Sequence, residues 1–191
     1  MILLDTLPGR EALDEGARPK APRMPEATDA HRAHGRQLGM IHGAHRRELT
    51  QLRAIVERIE TGASAAGDLV KAVEDMGMAR NLKLFGALCG RECQHLQFHH
   101  DIEEQHTFVV LEKRGSKGLR AVVAKLRKEH EIVHALIHAL AERASLLMRE
   151  PSANALEGVR EAIDRLEEVV HSHFGYEERE LEEALGVHEA L

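Results

Sequence analysis

The stretch FHHDIEEQHTF, Phe98 to Phe108, decides the fold of this chain. It contains two overlapping His-x-x-x-Glu pairs, His99 with Glu103 and His100 with Glu104. A four-residue step is close to one α-helical turn, so each pair occupies one helix face. The apolar residues Phe85, Leu88, Leu96, Ile102 and Val110 recur with helical period around the stretch, and their face is centred near His99. Glu103 follows one turn later on that face, with Glu92, His95 and His106 beside it. His100 and Glu104 point away. The period therefore selects His99 with Glu103 as the inward pair, on a helix from about Met78 to Lys113.

Three further stretches carry the same period. From Asp29 to Glu60 the apolar face is Leu38, Ile41, Leu49, Leu52, Val56 and Ile59; His45 is central, His42 lies off to one side, and His34 falls near the helix start. From Gly118 to Met148 the face is Leu119, Val123, Leu126, Val133 and Ile137, and it holds His130 and His134, with His138 at its edge. From Ala153 to Leu185 the face is Val159, Ile163, Leu166, Val169 and Val170, leading to His173 and Glu177. His171 and Glu178 point outward there, and His31 and His188 also read as solvated.

The breakers between these stretches are Thr61-Gly62, Arg114-Gly115-Ser116 and Glu150-Pro151-Ser152, and Ser152 is placed to cap the last helix. A short helix at Ala65 to Glu74 is expected in the first connection. Nothing alternates as a strand would. The reading is all-α: an antiparallel up-down four-helix bundle over residues 28–187, preceded by an irregular, Pro-rich N-terminal arm over residues 1–27.

Composition agrees with a helical core and excludes several functions. Of the 191 residues 43% are apolar but only 3% aromatic, with no Trp, so the core must be aliphatic. Four of the five Pro fall in the arm, which leaves the helices uninterrupted. The net charge of −6 is spread in both signs, with no basic stripe for nucleic acid. No apolar run reaches membrane-spanning length and the N-terminus lacks a signal-peptide layout, so a cytoplasmic protein is expected. Cys89 and Cys93, one turn apart, are too sparse for a structural zinc site and read as core thiols.

Fourteen His remain to be explained. An unpaired charge is costly to bury, and at least six inward His and Glu side chains come from four helices. A bound metal gives them one explanation, and mixed His and carboxylate donors suit iron, manganese or zinc. His34, His95, His106 and His138 read individually as core histidines, with His95 and His106 placed to support ligands from behind.

The four elements, in order, resemble the hemerythrin-like HHE cation-binding family: IHGAHRRELTQL at 41–52, FHHDIEEQHTF at 98–108, RKEHEIVHAL at 127–136 and HFGYEERELEEAL at 173–185. The resemblance covers roughly residues 30 to 185 and implies two iron ions, bridged by carboxylates and an oxo or hydroxo group. By motif match the ligands are His42, His99, Glu103, His130, His134, His173 and Glu177, with Glu103 and Glu177 as bridges. On the first helix the motif favours His42 and the period favours His45, and both are kept. The family usually has an apolar residue where His45 stands. Glu177 follows His173 by four residues, as in many bacterial and iron-sensing relatives, where oxygen carriers place an Asp after five. The Pro that often follows the second element is absent, with His106 nearby.

The resemblance implies a diiron protein that binds or senses O₂ or a related small oxidant such as NO or peroxide, inside an apolar shell of Leu49, Phe98, Ile137 and Phe174. The alternatives are a diiron oxidoreductase (peroxidase- or catalase-like, or ferroxidase) and an iron-responsive regulatory module; binding is placed ahead of turnover. Tyr176, the only Tyr, sits near the inward face, either tuning the site or taking up an oxidising equivalent, or as an interface residue with its hydroxyl in water. Monomer and homodimer both remain open.

Overall fold

A computed structural model describes residues 7–62 and 90–191, with side chains in the second stretch from Leu96 onward. Two 3₁₀ turns, Arg10–Leu13 and Glu15–Ala17, precede α1 (Asp29–Gly35) and α2 (Gln37–Gly62). Then come α3 (Gly90–Ile102), a π-helical turn (Glu103–Thr107), α4 (Phe108–Arg114), α5 (Lys117–Arg149) and α6 (Ala153–Val187). There is no strand among the described residues, which are all-α as expected. The expected helix at Ala65 to Glu74, the start of the second helix, and Phe85, Leu88 and Cys89 lie outside the described residues, as do the side chains of Glu92, Cys93 and His95.

The helix starts follow from local chemistry. Thr28 caps α1 by accepting from His31 N at 3.2 Å, and Ser116 caps α5 by accepting from Leu119 N at 3.1 Å. Ser152 caps α6 as its sequence position implies, accepting from Ala155 N at 3.1 Å. Two helices differ from the uninterrupted rods expected: the first divides at Arg36 into α1 and α2, and the second carries the π turn.

α6 packs along α5, α2 and α1. It meets α1 backbone to backbone. A Cβ on Gly35 would stand 2.0 Å from Glu182 O, and one on Gly186 2.0 Å from His31 O, so only glycine allows the approach. Residues 7–28 lie against α6: Leu13 is fully buried, Ala21 N donates to Glu180 Oε2 at 2.8 Å, and Met24 N donates to Glu183 Oε2 at 2.9 Å.

The apolar side chains form two clusters. One joins Leu49, Leu52 and Val56 of α2 to Val133 and Leu140 of α5 and Ile163 of α6. The other joins Leu38, Phe108, Leu111, Leu126, Leu181 and Leu185. Each such Leu contributes roughly 1.5–3 kcal/mol when fully buried. Between the clusters α2, α5 and α6 change character: His42 and His45 separate Leu38 from Leu49, His130 separates Leu126 from Val133, and His173 and Glu177 separate Val170 from Leu181. A buried polar layer thus divides the core. No described helix is long and apolar enough to cross a membrane.

Three residues assigned to the apolar face or shell are on the surface. Ile41 is 40% exposed, Ile102 42% and Phe98 63%.

Candidate metal centre

The polar layer contains two groups of ligating atoms. His42 of α2, His99 of α3, Glu103 of the π turn and Glu177 of α6 each offer one atom, all within 4.8 Å of one another. His100 of α3, His130 of α5 and His173 of α6 form the second group on the same criterion. Both carboxylates reach across. Glu103 places Oε1 3.2 Å from His99 Nε2 and Oε2 3.5 Å from His130 Nε2. Glu177 Oε2 lies 3.5 Å from His42 Nε2 and 3.8 Å from His173 Nε2.

Most of these inward atoms lack an ordinary hydrogen-bond partner. Both oxygens of Glu103 and of Glu177, and Nε2 of His100, His130 and His173, are buried without a hydrogen-bond partner among the described residues. His42 Nε2 and His99 Nε2 face each other at 3.0 Å. Buried polar atoms are nearly always satisfied, so a cluster of orphans converging on one space is what a cation would resolve. Without a cation, burial keeps the charges off. It lowers His42 to about 4 and His99 to about 2, with His42 and His45 adding repulsion at His99. Burial also holds His100 and His130 well below their usual range. Glu103 is raised by burial and by Glu177, and burial raises Glu177 to about 8. Neutral imidazoles with inward lone pairs are the form that binds a metal.

The outer nitrogens of three of these His are held by carboxylates that are in turn held by Arg. His42 Nδ1–H donates to Glu178 Oε1 at 2.9 Å, and Arg46 Nη2 donates to the same oxygen at 2.9 Å. His130 Nδ1–H donates to Glu104 Oε1 at 2.8 Å, and Arg127 bonds Glu104 Oε2. His173 Nδ1–H donates to Glu129 Oε2 at 3.1 Å, and Arg18 forks onto both Glu129 oxygens at 2.8 and 2.9 Å. Each relay fixes the tautomer, so Nε2 turns inward as an acceptor. Phe174 stacks on His42 with ring centroids 3.7 Å apart and closes that side.

A family model described as the hemerythrin HHE cation binding domain matches residues 33–185. The chain belongs to this family. Comparison with curated proteins and with solved structures found no match. Membership makes metal binding the property of this HHE domain, and among the described residues the two groups are ones that could hold a metal.

Placement of the expected residues differs in detail. The structure brings His42, His99, Glu103, His130, His173 and Glu177 together. His45 is buried beside them, its ring 5.1 Å from that of His99, but belongs to neither group; its Nδ1 meets Glu48 Oε2 at 3.2 Å. His134 is half-buried, outside both groups, with Nε2 3.1 Å from His100 Nδ1. His106 and His138 are exposed, and His34 is half-buried. Tyr176 is buried, and its hydroxyl is not in water: it donates to Pro19 O at 2.7 Å.

His100 corrects the phase reading, because it is wholly buried and stacks on His130 at 4.0 Å. Val110 lies beyond the π turn and Ile102 is exposed, so neither marks the buried face at His100. Regular helical counting fails across such a turn. A centre wide enough for two groups also takes both adjacent His inward. Glu104 and Glu178, expected to point outward, are instead the half-buried partners of His130 and His42. Each is the second Glu of an EE pair, a signal available in the sequence. Glu129 and Arg18 were not singled out, and their contacts span 111 positions, beyond any local pattern.

Proposed function

We propose that this HHE domain holds two iron ions, one at each group, and binds or senses O₂ or a related small oxidant. The carrying observation is that Glu103 and Glu177 each reach both groups while none of their four oxygens makes a hydrogen bond among the described residues. The holding residues would be His42 and His99 on one side, His100, His130 and His173 on the other, and the two Glu between. The proposed frame is an antiparallel up-down four-helix bundle of α1–α2, α3–α4, α5 and α6 over residues 28–187.

Iron held by these residues would supply exchangeable electrons and a Lewis-acidic centre for a small ligand. The chain's own residues do the rest. The relays orient the imidazoles. Phe174 and the two apolar clusters exclude water. A cavity of about 480 Å³ lined by Ile41, Ala44, Phe98, Ile102 and Leu191 opens onto His99 and Glu103. Its apolar wall suits a small neutral molecule and disfavours charged substrates.

The test is metal analysis and visible spectroscopy on protein prepared with iron and without oxygen, before and after air. Two irons per chain and a new visible absorption on exposure support the reading, and reversal on removing oxygen favours a carrier. Continuous oxidant consumption would move the assignment to an oxidoreductase. Wild-type protein that takes up no iron overturns it.

A further inference from the structure

Of the three His–Glu–Arg relays, two are local and one is not. Arg46 shares a helix with His42, and Arg127 shares one with His130; their side chains are 27% and 32% exposed. Arg18 comes from the N-terminal segment, is 9% exposed, and grips a Glu129 that is fully buried. The guanidinium is fixed on every side. Its Nη1 donates to Ser172 Oγ at 3.0 Å, Glu15 Oε1 lies 3.6 Å away, and its plane lies over the Tyr176 ring at 4.7 Å. The next residue along the chain is tied as well, since Pro19 O accepts the Tyr176 hydroxyl.

We propose that Arg18 is a positioning residue for the cation centre, and that docking of residues 7–28 and cation binding are coupled through Glu129 and His173. The inference rests on the metal reading above. Arg18 holds the carboxylate, the carboxylate holds His173 Nδ1–H, and that bond aims His173 Nε2 at the space shared with His100, His130 and Glu177. Without the fork, Glu129 keeps its burial but loses its cation, and the aim of His173 is no longer set. Coupling of this kind is reciprocal: whatever factor the docked segment adds to cation affinity, the cation adds to docking. The lever is not a titration. It is the geometry of a bidentate pair, which Lys cannot reproduce.

The experiment uses the full chain with Fe(II) as probe. Affinity is measured by competition with a chromophoric chelator for wild type, Arg18→Ala, Arg18→Lys and, as control, Arg46→Ala. Amide exchange over residues 7–28 is followed with and without Fe(II). The expected loss for Arg18→Ala is about 10- to 100-fold in affinity, the range for residues that support a ligand from behind. Arg18→Lys should recover only part of it, and Arg46→Ala should lose clearly less than Arg18→Ala. Fe(II) should slow exchange over 7–28 in wild type and much less in Arg18→Ala. Arg18→Lys and the wild-type exchange data carry the test if Arg18→Ala does not fold. Unchanged affinity in Arg18→Ala, or exchange over 7–28 that ignores Fe(II) in wild type, overturns the coupling alone. Wild type that binds no Fe(II) overturns the metal reading itself.

Discussion

The polar layer is supported from three sides, and one of them is built differently from the other two. On the α2 and α5 sides, His42 and His130 lean on half-exposed carboxylates, Glu178 and Glu104, each steadied by an Arg from the same helix as the His. On the α6 side, His173 leans on Glu129, which no solvent reaches, and the steadying Arg arrives from the far N-terminus. A solvated pair contributes little to stability and can be lost cheaply. A buried pair that loses one member leaves a charge with nowhere to go. The same chemical device is therefore adjustable on two sides and structural on the third.

The contrast is sharpest at Glu129. Glu129→Ala strands Arg18 and frees His173 together, and should lower unfolding stability by about 3–5 kcal/mol, read by urea denaturation of metal-free protein. A loss under 1 kcal/mol, as for a surface pair, would erase the distinction. Next in size, Glu104→Gln and Glu178→Gln should each weaken iron binding by about tenfold while leaving the metal-free stability within about 1 kcal/mol. Chelator competition and denaturation on the same samples separate the two quantities. Arg46→Ala and Arg127→Ala should have the smallest effects, under about 1 kcal/mol each and additive in the double variant. Raising salt from low to high should shrink even these, because exposed pairs are screened and the Arg18 pair is not. A salt-sensitive Arg18 variant would break the comparison from the other end.

Much of this was legible in the sequence, and the reasons are physical. α5 and α6 follow uninterrupted heptad-like periods between clear breakers, so their expected spans, Gly118 to Met148 and Ala153 to Leu185, lie close to Lys117–Arg149 and Ala153–Val187. His130, His173 and Glu177 sit on those regular helices, and counting along them points inward correctly. Counting weakens where the helix is not regular. In α3 the π turn after Ile102 separated the residues used to define the face, and His100 was assigned to solvent. In α2 the exposed Ile41 was included in the face, and the averaged direction favoured His45 over His42. The buried neighbours Leu38 and Leu49 leave room for both, and only the tertiary contacts of His42 with His99 and Glu177 separate them. Arg18 was invisible for a different reason: a single charged residue in a Pro-rich segment has no period, and its partner is fixed by packing alone.

The π turn at Glu103–Thr107 also sets where this chain can change length. Such a turn takes up one residue more than the helix needs. Removing a residue elsewhere in α3 or α4 would rotate one flank against the other by roughly 100°, turning buried Phe108 and Leu111 toward water. Removing the exposed Gln105 would let the turn close into ordinary helix with both flanks still facing as they do. What would shift is the carboxylate of Glu103. The surplus residue is thus dispensable to the helix, and what it sets is the position of a carboxylate in the polar layer.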